Sequence, residues 1–241
     1  MGIRDRAVAA AALVYPLVIL SGMFSAGAFG GAVSGFIARA IGSGDAEEAS
    51  GVLVCAVLIS LGGGVLMWLL VVLFGPLLYQ SATDNVTVIE SARYYAALLF
   101  PVIPAYWLIN MLSSVLRGSG DMKRPAIAAA SLLVSYILLA WLLIPLDGSG
   151  TMLAIEGAAS AMAGSYVFAA ALVIYFIVHP SQPIRFRISA FRSELLARIL
   201  KQGPLAALQS VMTIVYALSL IPLPPCPRSH AFDSSDSRGP S

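Results

Sequence analysis

Two short polar segments carry most of the residues in this sequence whose types and spacing could do chemistry. Residues 38–45 read ARAIGSGD and residues 116–125 read LRGSGDMKRP, so each holds an arginine, two glycines and an aspartate. Glycine allows positive φ at the end of a helix, and aspartate can cap the helix that follows. Pro125 suits the first turn of that helix, where its missing N–H is not needed. Arg117 and Asp121 are predicted to pair with each other or with helix termini.

The residue types that carry enzymatic chemistry are isolated from one another. Cys55 lies in an apolar run and Cys226 in a proline-rich tail, while His179 and His230 each stand alone. Neither type has the spacing of a metal site, and the cysteines are not a plausible disulfide pair. The apolar runs also contain no nucleophile and base, metal motif or paired carboxylates. We therefore expect no enzyme, no cofactor and no metal site.

The composition is that of a membrane protein. Of the 241 residues, 59% are hydrophobic and only 11% are charged, which excludes an ordinary soluble domain. The formal net charge of +2 gives no indication of nucleic acid as a partner. The lipid bilayer is the expected environment.

Long apolar runs separate the polar segments, and each is long enough for about 20 residues to cross a bilayer. The sequence therefore predicts an all-α, multi-pass bundle of about six transmembrane helices. The predicted crossings lie near residues 13–37, 52–75, 94–116, 125–146 and 157–178, and a sixth run begins at residues 202–221.

Glycines and prolines inside the runs predict local features. Gly27, Gly31 and Gly35 recur every four residues, so one helix face is expected to let a neighbouring backbone approach closely. The three glycines at 62–64 indicate either bending or close packing. Prolines 101 and 104 predict a bend in the third crossing, because each removes a backbone hydrogen bond.

At the two polar segments the sequence resembles the multidrug and toxic compound extrusion (MATE) family of secondary transporters. A third segment is similar to the start of the family's sixth helix, and the likeness covers roughly residues 13–219. The matching residues are Ala38, Arg39, Gly42, Gly44 and Asp45; Leu116, Arg117, Gly118, Gly120, Asp121 and Pro125; and Glu156, Gly157, Ala158, Ala159 and Ala161. The resemblance implies part of a twelve-helix, two-lobed transporter.

The resemblance also implies a domain organisation. Residues 1–201 correspond to an N-terminal lobe that lacks its first helix, and they end in an amphipathic cytoplasmic linker at residues 179–201. In that linker Phe191, Leu195 and Ile199 are predicted to share one side. Residues 202–221 correspond to the start of the second lobe, and residues 222–241 are expected to be a disordered tail that does not match the family.

The distribution of basic residues predicts the orientation. Only Arg93 lies in the loops of one side, whereas nine lie in those of the other: Arg39, Arg117, Lys123, Arg124, Arg185, Arg187, Arg192, Arg198 and Lys201. By the positive-inside rule both Gly-Ser-Gly-Asp loops and the linker are cytoplasmic. Arg4 and Arg6 conflict with this orientation, and a helix upstream of residue 1 would resolve the conflict.

The candidate site residues form two groups. Loop residues predicted either to cap helices or to act as a cytoplasmic gate are Arg39, Gly42, Gly44, Asp45, Arg117, Gly118, Gly120, Asp121 and Pro125. Residues predicted either to line a cavity or to bond between helices are Asn110, Ser135, Tyr136 and Tyr166. Ser135 and Leu139 occupy positions where many family members have an Asn and an Asp, so the resemblance gives no coupling residue there.

The function implied by the resemblance is export of small organic, often cationic, compounds in exchange for H⁺ or Na⁺, across the cytoplasmic (inner) membrane. One alternative is a flippase for lipid-linked sugars, which a strongly basic central cavity would favour. Another is an incomplete chain that inserts without transporting and that either lacks its second lobe or associates with itself.

Overall fold

The computed structural model describes residues 3–144, 151–179 and 184–203, and the structural statements below concern these residues. Within these ranges the chain is helical apart from short connections, and it contains no strand. The helices are α1 (Ile3–Gly22), a π-helical stretch (Met23–Phe29), α2 (Gly30–Gly42), α3 (Ala46–Ala82), α4 (Val86–Leu99), α5 (Ile103–Gly118), α6 (Lys123–Leu143), α7 (Thr151–Val178) and α8, described over residues 193–203.

Five stretches of the described helices are long and apolar enough to cross a membrane. They are Ala9–Gly42, Ala46–Ala82, Val86–Gly118, Lys123–Leu143 and Glu156–Val178. The predicted all-α membrane fold is therefore confirmed. Most of the sixth predicted run, 202–221, and all of the predicted tail, 222–241, lie outside the described residues.

The third span is interrupted at the prolines, where a bend was predicted. Residues Phe100–Val102 form a 3₁₀ turn between α4 and α5, with Pro101 inside the turn and Pro104 in the first turn of α5. Because a proline has no N–H to donate, the continuous α-helical bonding stops here. The side chains of Leu99, Phe100 and Ile103 around the break are fully buried, so the turn lies in the packed core.

Helix α5 lies at the centre of the described bundle, with α2, α3 and α7 packed around it. Helix α6 is peripheral and packs mainly against α7. Its outward side chains include Leu138, Trp141 and Leu142, of which Trp141 is 73% exposed. Such an apolar surface is what a membrane helix presents to lipid.

Close packing accounts for two of the three glycines at 62–64 in α3. A Cβ atom at Gly63 would lie 2.1 Å from the ring of Trp107, and one at Gly64 would lie 2.5 Å from the Cα of Pro104. Both neighbours belong to α5, so the Trp107 ring lies directly on the backbone of α3 at Gly63, and the two helix backbones approach each other at Gly64.

The close approach of a neighbouring backbone that was predicted at Gly31 and Gly35 is wrong. A Cβ at Gly31 or Gly35 would meet nothing within 4 Å among the described residues. The π-helical stretch Met23–Phe29 interrupts the helix in which the stripe was expected. Gly31 and Gly35 both lie after this stretch, on the exposed side of α2, so their spacing marks one helix face without a described neighbour against it.

The linker after α7 is also partly different from its prediction. Leu195 and Ile199 are buried on α8, whereas Phe191 precedes this helix and is exposed. The basic residues Arg192, Arg198 and Lys201 are exposed, in agreement with an amphipathic segment.

Candidate functional site

The loop between α2 and α3 ends α2 in a Schellman motif. Gly44 has φ +75°, its N–H donates to the carbonyl of Ile41 at 3.0 Å, and the N–H of Asp45 donates to the carbonyl of Ala40 at 2.9 Å. These two bonds satisfy carbonyls that the helix end would otherwise leave free. The predicted positive φ in this loop is confirmed at Gly44.

The loop between α5 and α6 repeats the same arrangement. Gly120 has φ +86°, its N–H donates to the carbonyl of Arg117 at 3.0 Å, and the N–H of Asp121 donates to the carbonyl of Leu116 at 3.0 Å. The repeated sequence Gly-Ser-Gly-Asp thus gives a repeated structure, in which the second glycine and the aspartate end one helix at the same relative positions.

Both aspartates also begin the next helix, as predicted. Asp45 Oδ1 accepts from the backbone N–H of Glu48 at 2.8 Å, and Asp121 Oδ1 accepts from the N–H groups of Lys123 and Arg124 at 3.1 Å each. The Asp121 carboxylate also lies 3.2 Å from the Arg124 guanidinium. Each aspartate therefore supplies acceptors for donors that a helix N-terminus leaves unsatisfied. Pro125 is buried in the first turn of α6.

Arg117 does not form the predicted pair with Asp121. Its guanidinium donates to Ser114 Oγ at 2.7 Å, one turn back on its own helix. Of the two predicted arrangements, Asp121 adopts the one in which it binds a helix terminus. The neighbouring Gly118 permits close packing, because a Cβ there would lie 2.6 Å from the carbonyl of Ser34.

In the first loop the arginine stands three residues before the first glycine, rather than one, and its contact is different. The Arg39 guanidinium lies 5.1 Å from the centre of the Phe36 ring, within the range of a cation–π contact. A Cβ at Gly42 would meet nothing within 4 Å. The two loops thus share their backbone bonding but not their arginine contacts, and a gate role for them stays a prediction.

A row of hydrogen bonds joins α5 to α1 and the π-helical stretch. Trp107 Nε1 donates to Ser21 Oγ at 2.7 Å, and Asn110 Nδ2 donates to Ser25 Oγ at 2.8 Å. Of the two roles predicted for Asn110, the structure shows the interhelical bond and not the cavity lining. Ser21 and Ser25 were not predicted, since serine is common in such runs and nothing in the sequence marks its partner.

A cavity of about 770 Å³ lies between α1, α4, α5, α6 and α7. Its most regular feature is a set of five tyrosines from five different helices, namely Tyr15, Tyr95, Tyr106, Tyr136 and Tyr166. The remaining lining is formed by Ala11, Ala12, Val18, Ile19, Ala129, Leu132, Leu133, Met162 and Ser165.

Two of the four residues that were predicted to line a cavity do line this one. Tyr136 and Tyr166 line it, whereas Ser135 does not and donates instead to the carbonyl of Leu132 on its own helix at 3.1 Å. Tyr15, Tyr95 and Tyr106 were missed. The available signal was the occurrence of single tyrosines in otherwise apolar runs.

The cavity wall is aromatic and uncharged over the part that the structure describes. The rings of Tyr106 and Tyr166 are 4.9 Å apart at an interplanar angle of 32°, and Tyr95 Oη donates to Met162 Sδ at 3.8 Å. Ser165 donates to the carbonyl of Met162 at 2.8 Å, so its hydroxyl hydrogen is already used. Such a wall can bind an apolar or cationic organic molecule through its aromatic faces.

Glu156, in the third matching segment, links α7 to α4. Tyr94 Oη donates to its carboxylate, so this acid has a protein partner. A Cβ at the adjacent Gly157 would lie 2.4 Å from the carbonyl of Leu143, which brings the end of α6 against α7. The segment joins helices and does not contribute to the lining of the tyrosine cavity.

Comparisons with known proteins agree with this architecture. The MatE family model matches residues 1–142, which is more than half of the chain. No match is found among curated proteins.

Three solved structures illustrate the likeness. The chain is 26% identical to a multidrug resistance MATE family transporter of the MOP superfamily in an inward-facing conformation, with TM-score 0.77, covering 87% of this chain and 47% of that one. For an outward-facing conformation the identity is 27% and the TM-score 0.76, and the match covers 88% of this chain and 46% of that one. The third structure is a MOP superfamily transporter from Pyrococcus furiosus, described as having a binding pocket of reversed polarity. Its identity to this chain is 26% and the TM-score 0.77, and the match covers 90% of this chain and 48% of that one.

The chain spans about half the length of these solved transporters. Its described spans, its paired loops and the family match lead to the same assignment, so the chain belongs to the MatE family of membrane transporters.

Proposed function

We propose that this chain forms a substrate-binding lobe of a multidrug exporter, which exchanges small organic cations for H⁺ or Na⁺ across the cytoplasmic membrane. The observation that carries the proposal is the tyrosine cavity. Its volume of about 770 Å³ is within the range of small-molecule sites, and its described lining includes no charged residue. Aromatic faces attract organic cations without requiring one fixed arrangement of hydrogen bonds, which suits a varied set of substrates.

Alternating access is the proposed transport cycle. The chain resembles inward-facing and outward-facing transporters about equally, with TM-scores of 0.77 and 0.76. This supports a mechanism in which the lobe keeps its internal packing while it rocks against a second lobe. Ion coupling would then depend on a carboxylate outside the described cavity lining.

The lining also bears on the flippase alternative. A carrier of lipid-linked sugars has to hold phosphate groups, for which a basic cavity would be expected. Arginine and lysine do not occur among the residues described around the tyrosine cavity. The uncharged lining therefore favours export of organic cations.

Binding of a fluorescent cation to the full chain tests the proposal. Ethidium fluorescence polarisation with the purified chain in lipid nanodiscs should show saturable binding. Tyr106→Ala and Tyr166→Ala should each weaken this binding by roughly tenfold, since each removes one aromatic face. The matched control is Tyr175→Ala, because Tyr175 is 60% exposed and does not line the cavity. Equal affinity in all four proteins would contradict the proposed site.

Expression of this chain by itself tests whether transport requires a second lobe. Expressed alone in efflux-deficient cells, the chain is expected to reach the membrane but not to lower ethidium accumulation, because alternating access needs two lobes around a shared site. An ion-gradient-dependent decrease in accumulation would contradict this expectation and would point to a pair of identical lobes.

A further inference from the structure

A second cavity lies where α3 begins, and it differs from the tyrosine cavity in its chemistry. It has a volume of about 680 Å³. It is lined by Ala46, Glu47, Ser50, Arg185, Arg187, Ser189 and Ala190, so most of its lining is polar. None of these residues lines the tyrosine cavity, and the proposed transport function does not use them.

One wall of this cavity is the segment at residues 184–190, which is buried at both ends and packs on α3 at Ala190. Ile184 and Ala190 are each 4% exposed. A Cβ at Gly51 would lie 2.7 Å from the carbonyl of Ala190, so the backbone of the segment rests directly on the helix. The residues between these two anchors, including both arginines of the cavity, are thereby held beside the start of α3.

The charges in the cavity do not cancel. The carboxylate of Glu47 lies 3.0 Å from the guanidinium of Arg192, so the acid already has a partner. The side chains of Arg185 and Arg187 form no ion pair or hydrogen bond with any residue that the structure describes. The cavity therefore presents two guanidinium groups whose hydrogen-bond donors are available to an anion.

The cavity lies at the polar end of a helix that is long and apolar enough to cross a membrane. Glu47 and Glu48 stand in the first turn of this helix, before its apolar run. Phe186, between the two arginines in sequence, is 49% exposed, and Phe191 is 41% exposed; both lie outside the cavity lining. Exposed aromatic rings next to arginines are typical of segments that lie at the level of lipid headgroups.

We propose that this cavity binds the phosphate group of an anionic phospholipid. The Arg185 and Arg187 guanidinium groups would bind the phosphate, and the acyl chains would lie beside Phe186 and Phe191. A free phosphate could use the same arginines but would leave both rings exposed to water. The two sources therefore differ in whether the aromatic residues contribute to binding.

Lipid retention by the full chain tests the proposal. The purified chain in detergent is mixed with phosphatidylglycerol and phosphatidylcholine that carry the same acyl chains, and bound lipid is counted by native mass spectrometry. The wild-type chain should retain phosphatidylglycerol preferentially. R185Q/R187Q should lower its affinity by roughly tenfold or more, because each basic residue contributes to attraction of an anionic headgroup.

A matched control separates the site from general electrostatics. R198Q/K201Q removes the same charge from exposed positions of the neighbouring α8, outside the cavity, and should change affinity by less than about twofold. R185K/R187K should keep the preference for phosphatidylglycerol. Circular dichroism should give the same helicity for all variants, and the single substitution R187Q gives a second reading if the double variant fails to fold.

Three outcomes would overturn the proposal. Unchanged retention of phosphatidylglycerol by R185Q/R187Q would show that the cavity does not hold the lipid. Equal losses of retention in R185Q/R187Q and R198Q/K201Q would show that overall charge, and not this cavity, accounts for the binding. Displacement of phosphatidylglycerol by millimolar inorganic phosphate, with no effect of F186S/F191S, would identify a soluble phosphate as the ligand.

Discussion

Ser114 shows how completely single polar groups can be used inside this bundle. Its hydroxyl is fully buried, donates to the carbonyl of Asn110 at 2.8 Å and accepts from Arg117 at 2.7 Å. On the other side a Cβ at Gly30 would lie 2.6 Å from the same oxygen, so only a glycine fits opposite it. In a medium without water, a polar atom in such a position has to find its partners within the protein.

The bond between Asn110 and Ser25 should be measurable as a coupling. Asn110→Ala and Ser25→Ala are each expected to lower the free energy of unfolding, and the double variant should lose about 0.6–1 kcal/mol less than the two separate losses combined. Unfolding of the full chain in mixed micelles provides the measurement. Ser135→Ala is the control partner, because Ser135 bonds only to its own helix and should show no coupling to Asn110. Full additivity of the Asn110 and Ser25 losses would contradict the interhelical bond.

Adjacent glycines on α3 give a matched pair of substitutions. Gly63→Ala would place a methyl group 2.1 Å from the Trp107 ring, which is itself held by its bond to Ser21, and we expect a loss of about 1–3 kcal/mol. Gly62→Ala meets nothing within 4 Å and should be neutral or stabilising, since alanine favours the helix. Thermal unfolding in detergent compares the two. A smaller loss for Gly63→Ala than for Gly62→Ala would contradict the observed contact between α3 and α5.

At the scale of elements, the two Schellman motifs were the most predictable part of the structure. Their requirement is local: a residue with positive φ ends one helix and an acceptor begins the next. The role of Asn110 could not be predicted in the same way. Whether a polar residue faces a cavity or a neighbouring helix depends on how the helices are rotated, and the π-helical stretch changes that rotation without changing the composition of the run.

Replacing the glycines of these motifs should be costly for a backbone reason. Gly120→Ala and Gly44→Ala would place an alanine at φ +86° and +75°, respectively, at an expected cost of about 1 kcal/mol each. Gly42→Ala is the control, since Gly42 is helical and a Cβ there would meet nothing within 4 Å. Equal midpoints of thermal unfolding for all three variants would argue against the left-handed conformation.

At the scale of the whole molecule, the membrane class and the positions of the spans followed from the sequence because the cost of burying charge confines ionisable residues to the ends of long apolar runs. The tyrosine cavity did not follow, because its five rings come from five helices. A single sequence gives the period of each helix but not the face that it turns towards its neighbours.

The predicted orientation can be tested by single-cysteine labelling in a background that lacks Cys55 and Cys226. Cysteines at Ser43, Ser119 and Ser189 should react with a membrane-impermeant thiol reagent from the cytoplasmic side, as the excess of Lys and Arg in these segments implies. A cysteine at Asp84 should react from the other side, since the 37-residue helix α3 separates the loop that contains Ser43 from the loop that contains Asp84. Labelling of Ser119 and Asp84 from the same side would contradict the arrangement.

The order in which the chain is synthesised determines when the tyrosine cavity can form. Its walls include Tyr15 of the first described helix and Tyr166 of α7, so the site is incomplete until the last of the five spans has entered the membrane. Helix α6 depends on the same event, because it packs mainly against α7, which follows it in the chain. A ribosome that stalls before residue 166 would leave a nascent chain with α6 inserted but unpaired and no closed cavity. Closure of the tyrosine cavity is therefore among the latest steps in the folding of this chain.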